Sequence, residues 1–77
     1  MDVQLKDLPV GSKGAVVGYA KSDPVYRDKL LSMGLTRGTS FTVLRVAPLG
    51  DPVEIEVRGF KLSLRKSEAD ALLVRRA

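Results

Sequence analysis

Val53-Glu54-Ile55-Glu56-Val57-Arg58-Gly59-Phe60-Lys61-Leu62-Ser63-Leu64 alternates apolar and polar residues on both sides of a glycine. That period of two predicts a pair of half-buried strands. If Arg58-Gly59 is a two-residue turn, Val57 faces Phe60, Ile55 faces Leu62 and Val53 faces Leu64, so every one of these apolar side chains lies on one side. On the other side Glu56 opposes Lys61, a favourable cross-strand pair. The register is well determined, because a slip of one residue would turn the apolar set toward water. Arg58 is not an ideal residue for a primed turn, which leaves a slightly longer loop open.

Upstream, Ser40 to Ala47 carries Phe41 and Val43 on one parity but Leu44 and Val46 on the other. Such a strand is either covered on both faces or bulged near Val43-Leu44, and the bulge is favoured because a closing barrel must bend. Further back the period changes. Tyr26, Leu30 and Met33 fall at i, i+4 and i+7, with Leu31 beside them and Arg27, Asp28 and Lys29 between, which predicts one amphipathic helix. Ser22 or Asp23 would cap it, Pro24 suits its first position, and Gly34 would end it in the left-handed conformation. With about ten residues the helix needs docking on the sheet to persist. Tyr26 and Met33 are read as core.

Gly14-Ala15-Val16-Val17-Gly18-Tyr19-Ala20, after the turn signal Pro9-Val10-Gly11-Ser12, reads as a strand with Ala15, Val17 and Tyr19 on one face. Gly14 and Gly18 mark close backbone approach, a bend or simple turns. Downstream, Ser67-Glu68-Ala69-Asp70 resembles a capping box with Ser67 as the cap, giving a single helical turn. Leu72 and Val74 form a closing strand, and Arg75-Arg76-Ala77 is expected to fray.

The sum is about five or six short antiparallel strands, one short α-helix and one helical turn: a mainly β chain suited to a small SH3-like antiparallel β-barrel. An open ferredoxin-like sandwich needs a second full-length helix, for which Lys66 to Leu73 is too short. With 77 residues, the expectation is one domain over 1–77. No apolar run approaches the ~20 residues that cross a bilayer, and the amino terminus lacks the layout of a signal peptide, so a cytoplasmic protein without membrane insertion is expected.

The absence of cysteine and histidine bounds the chemistry. A Ser-His or Cys-His nucleophile pair cannot be built, and Glu54 and Glu56 project from the solvent side of a hairpin, so the chain is read as no enzyme. Zinc and ferrous iron favour imidazole and thiolate ligands, so neither a metal site nor a cofactor is expected. The glycines fit no nucleotide-binding motif. Formal net charge is +4, but without Arg75-Arg76 the basic residues fall from 13 to 11 against 9 acids. That modest excess, with two tyrosines and two phenylalanines as the only aromatics, argues against nucleic-acid binding. A free-standing small barrel that binds nucleic acid or peptide is the alternative reading.

Three segments carry a family resemblance. Tyr26-Arg27-Asp28-Lys29-Leu30-Leu31-Ser32-Met33-Gly34-Leu35 leads through Arg37-Gly38 to Arg45-Val46-Ala47-Pro48-Leu49-Gly50-Asp51-Pro52-Val53, and Leu64-Arg65-Lys66 follows. Their order and spacing resemble the ferrous iron transport protein A (FeoA) family, with the Ala-Pro-Leu-Gly-Asp-Pro loop the most specific part. The resemblance implies an SH3-like fold and a cytoplasmic accessory role in bacterial ferrous iron uptake. The implied partner is the membrane transporter FeoB with its cytoplasmic GTP-binding part, and weak self-association is a further expectation. Without soft ligands, influence on iron would pass through protein contact.

Candidate partner-binding residues are Arg27, Arg45, Leu49, Asp51 and Arg65. Leu49 sits between two prolines in a loop that loses little entropy on binding, so it is either an anchor or a lid folded back on the barrel. Guanidinium groups are favoured at interfaces, where they would meet acidic groups.

Overall fold

The computed structural model describes residues 3–20 and 24–77. Ser22 and Asp23, the expected helix caps, lie outside the described residues. Strands β1 (Val3–Gln4), β2 (Lys13–Tyr19), β3 (Ser40–Val46), β4 (Val53–Val57), β5 (Phe60–Leu64) and β6 (Leu72–Arg76) form one antiparallel sheet in the order β1-β6-β2-β3-β4-β5. Helix α1 spans Pro24–Ser32 and the short α2 spans Lys66–Asp70. The sheet curls round a core whose least exposed members include Leu5, Leu30, Leu35, Ile55, Leu64, Leu72 and Val74. α2 fills the gap between β5 and the turn of Leu5–Asp7. Gln4 Nε2 donates to the Asp70 carbonyl across that junction at 3.0 Å.

The β4–β5 hairpin has the register that alternation predicts: Val57 opposite Phe60, Ile55 opposite Leu62, Val53 opposite Leu64 and Glu56 opposite Lys61. Arg58 (φ 52) and Gly59 (φ 83) are both left-handed, the requirement of a two-residue primed turn. The apolar face is shared but unevenly covered. Ile55 and Leu64 are fully buried, whereas Phe60, on the edge strand next to the turn, is 73% exposed although Val57 opposite it is buried. On β3 the register shifts between Val43 and Arg45, so the expected bulge is present at Leu44.

α1 carries Leu30 into the core, with Tyr26 and Met33 half-buried and Leu31 left outside. Gly34 (φ 87) ends it: its N–H donates to the Leu31 carbonyl at 3.0 Å, and the Leu35 N–H to the Leu30 carbonyl at 3.0 Å. This is the Schellman arrangement, with Leu30 and Leu35 both fully buried beneath it.

Three expectations are corrected. First, Ala15, Val17 and Tyr19 do not share one face: Ala15 is opposite Arg75 and Tyr19 opposite Leu72, which have opposite parity on β6. A bulge at Val17 interrupts the β2–β6 register, Val16 points into the core, and Tyr19 is half-buried with its hydroxyl donating to the Leu35 carbonyl at 2.6 Å. Second, the cap of α2 is Arg65 and not Ser67, because Glu68 reaches back to accept the Arg65 N–H at 2.8 Å and so occupies the third helical position. Third, the C-terminal residues do not fray. Arg75 and Arg76 pair with Ala15 and Gly14, and the Ala77 N–H donates to the Lys13 carbonyl at 2.9 Å.

That pairing brings β6 close over Gly14. A methyl group there would stand 2.7 Å from the Arg75 carbonyl oxygen and 3.0 Å from the Phe41 ring. At Gly18 nothing lies within 4 Å of the same position. Gly14→Ala is therefore expected to destabilise by about 1–3 kcal/mol through backbone displacement. Gly18→Ala should stay within about 0.5 kcal/mol of wild type. Urea unfolding of both variants checks the contrast.

Glu68 is 2% exposed and holds α1 to α2, its Oε2 pairing with Lys29 Nζ at 2.5 Å. Burial pushes its carboxyl up, but the hydrogen bond from Lys29, the Arg65 amide and the charges of Lys29 and Arg65 together leave it below its ordinary value. A carboxyl depressed by folding stabilises above its unfolded value and loses that contribution as pH falls through the folded one. Stability should therefore hold at neutral pH and decline below about pH 4. Glu68→Gln should cost about 1–2 kcal/mol at neutral pH. It should also flatten part of the acid decline, as measured by urea midpoints across pH; an unchanged acid slope would sink this account.

Candidate functional site

The loop between β3 and β4 is closed at its base, where the Ala47 N–H donates to the Pro52 carbonyl at 3.1 Å. Within it, Pro48 to Gly50 make a tight turn in which the Gly50 N–H donates to the Ala47 carbonyl at 2.9 Å. Leu49 sits at the tip with φ 70 and 96% of its surface exposed. The lid alternative is thus not the arrangement observed. A left-handed backbone costs a residue with a Cβ roughly 1–2 kcal/mol, and an apolar side chain so exposed recovers nothing from burial.

The base of the loop is tied to α2, since Asp51 Oδ1 accepts the Lys66 N–H at 3.2 Å. This contact satisfies an amide at the start of α2, where a negative charge is also favoured. Asp51, Arg65, Lys66, Ser67 and Asp70 line an open depression of about 450 Å³ on this side. Arg45 stands opposite Glu54 in the ladder and, with Ala47 and Pro52, lines a smaller depression of about 150 Å³. Arg45 and Arg65 therefore border depressions that share the loop with Leu49, and Asp51 fixes the loop between them. Arg27 is exposed on α1 and lines neither depression. Among the described residues no three carboxylates gather as a metal-ligand cluster, and no helix is long and apolar enough to cross a membrane.

Sequence reasoning missed a second feature, at the other end of β4. Met33, Gly34, Val57, Arg58, Phe60, Lys61 and Leu62 line a groove of about 370 Å³ between the end of α1 and the hairpin. Alternation placed Phe60 on the apolar face, and no local signal marked that it would be left exposed there while Val57 opposite it is buried.

A family model of the FeoA domain matches residues 3–76. Over 67 residues the chain is 34% identical to a curated protein described as an Fe(2+) transport protein A/Fe(2+) transporter FeoB fusion protein, from Porphyromonas gingivalis. The match covers 87% of this chain and 8% of that protein, so the chain corresponds to a small part of that relative's length. Among solved structures, a FeoA-like protein from Clostridium acetobutylicum superimposes with a TM-score of 0.86 at 40% identity, covering 97% of this chain and 86% of that one. Stenotrophomonas maltophilia FeoA complexed with zinc, described as a procaryotic SH3 domain protein, gives 0.79 at 22% identity over 95% and 89% of the two chains. At that identity the likeness speaks for the fold, which is SH3-like.

Removing the tether at the loop base is expected to free the loop without unfolding the barrel. Asp51→Ala should cost about 0.5–1.5 kcal/mol, the usual contribution of one hydrogen bond. It should also speed amide hydrogen exchange at Gly50 and Lys66 while leaving Ile55 protected; unchanged exchange at Gly50 would show that Asp51 does not hold the loop.

Proposed function

The chain belongs to the FeoA domain family, and from that premise we propose that it is a cytoplasmic accessory protein of bacterial ferrous iron uptake, acting by direct contact with a FeoB-type transporter. The observation that carries this reading is Leu49: a large apolar side chain, almost wholly exposed, on a left-handed backbone that only the surrounding loop holds in place. Strain and exposure kept together at one residue point to a use outside the folded chain. The relative from Porphyromonas gingivalis, described as joining an Fe(2+) transport protein A to the transporter FeoB in one polypeptide, supports the choice of partner. Tethering raises the effective concentration of two modules, which is the expected use of such a fusion if they bind each other.

In this reading the contact is made by Leu49 as the apolar anchor, with Arg45 and Arg65 meeting acidic groups of the partner around it and Asp51 setting the loop. A preformed loop gives up little conformational freedom on docking. Arg27 contributes from α1 as a peripheral charge, of the kind that alters association rate more than residence time. The chain holds no ion and transforms no substrate in this role. With no imidazole or thiolate, it is poorly suited to ferrous ligation and well suited to recognition.

Leu49→Asn separates function from folding, because asparagine tolerates the left-handed region and removes the apolar tip. The variant should be equal to or more stable than wild type by up to about 1 kcal/mol. Its affinity for the cytoplasmic part of the transporter should fall by roughly 30-fold, the loss of one interface anchor. Pull-down and calorimetry of purified proteins, with ferrous uptake in cells carrying the variant, measure both. Undiminished binding with normal uptake would overturn Leu49 as the contact.

A further inference from the structure

We propose that the groove between the edge of β5 and the end of α1 receives an extended, acidic segment of a partner protein, which adds as a strand beside β5 and seats an apolar side chain against Phe60 and Met33. This surface is separate from the Leu49 loop. The two lie at opposite ends of β4, whose five residues span about 17 Å at the rise of an antiparallel strand.

β5 is the last strand of the sheet and pairs with β4 alone among the described residues. A two-residue turn closes on a hydrogen-bonded pair, here Val57 with Phe60. By alternation the backbone groups of Phe60, Leu62 and Leu64 then face β4, while those of Lys61 and Ser63 face the open edge. An unpaired edge beside an apolar groove is the arrangement used in recognition by strand addition, in which backbone bonds give affinity and side-chain pockets give selectivity. The groove, at about 370 Å³, falls within the range of ligand-binding clefts, roughly 300–1,000 Å³.

The chemistry of the occupant follows from the rim. Arg58 and Lys61 are the charged residues lining the groove, and no carboxylate lines it. A second copy of β5 would bring the same cations, Arg58 and Lys61, to the seam again and no carboxylate to meet them, and an excess of like charge along a strand pair is unfavourable. An acidic strand meets Arg58 at the turn and Lys61 on the side away from its cross-strand neighbour Glu56, and leaves Phe60, 73% exposed, covered by an apolar side chain. The exposed aromatic, the free edge and the one-signed rim are independent features of one site, and an acidic, extended, partly apolar segment satisfies all three.

The test uses the full chain and a fluorescein-labelled peptide alternating glutamate with valine around a central phenylalanine, beside the same peptide with lysine for glutamate. Fluorescence anisotropy should show the acidic peptide binding at least about tenfold tighter than the basic one, with affinity falling as salt rises. Phe60→Ser and Arg58→Asn should each weaken it by about fivefold or more. Both changes suit their positions, one exposed and the other left-handed, so folding is retained. Hydrogen exchange at the Lys61 and Ser63 amides should slow on binding, and Leu49→Asn should bind the peptide as wild type does. Equal affinity for both peptides, no binding of the acidic one up to millimolar concentration, indifference to Phe60→Ser, or self-association that buries Phe60 without peptide would each overturn the proposal. None of these outcomes alters the status of the Leu49 contact, which is read out on the transporter.

Discussion

Val53, Ile55 and Val57 facing Leu64, Leu62 and Phe60 across one hairpin is the constraint from which the rest of the barrel is laid out. Because side chains alternate strictly, this register decides at once which face of β4 and β5 packs on Leu30, Leu35 and Leu72 and which carries Glu56 and Lys61. It also fixes where the two ends of β4 project. One end feeds the turn in which Arg58 and Gly59 are left-handed, the other the loop in which Leu49 is. Both exposed apolar features are therefore set out by the same short piece of ladder, whose buried residues hold it rigidly in place.

The opposite side of the barrel closes by backbone contact. A chain of this size without cysteine, and so without a disulfide staple, depends on pairing every strand it can. Here the C-terminal strand is internal to the sheet: β6 lies between β1 and β2 and presses its Arg75 carbonyl onto the Cβ-less surface of Gly14. α2 then bridges β5 to the first turn, and the Lys29–Glu68 pair draws α1 onto it. A buried carboxylate with a half-exposed lysine partner would be a weak fastening by itself. The Arg65 amide at the other oxygen adds a second contact, so that both carboxylate oxygens are engaged.

Much of this was legible because it is written as periodicity. The hairpin register, the Leu44 bulge, the stripe of α1 and its Gly34 ending each follow from spacing in the chain. What was not legible depends on depth and on long-range partners. Alternation assigns Phe60 to a face but cannot say how deep a residue of the edge strand sits: Val57 opposite it is buried and Phe60 is not. The bulge at Val17 lies beside a residue held by the loop after α1, where Val16 accepts from the Gly38 amide and donates to the Thr39 carbonyl, contacts with no local signature. Ser67 looked like a cap because both it and Arg65 stand upstream of an acid, and only the chain's path after β5 selects Arg65. Likewise, the sequence between two prolines left Leu49 free to fold in or out, and the left-handed backbone at the tip decides it.

Scattered exposed apolar residues are ordinary on a small protein, and Val10 and Val25 need no special account. Leu49 and Phe60 differ because each is joined to a second feature, a left-handed backbone in one case and a groove on an open strand edge in the other. The two are joined by the β4–β5 ladder, in which Val53, Ile55 and Leu64 are buried. Two segments of one partner, held at the two ends of that ladder, would reinforce one another through proximity, as linked binding events do.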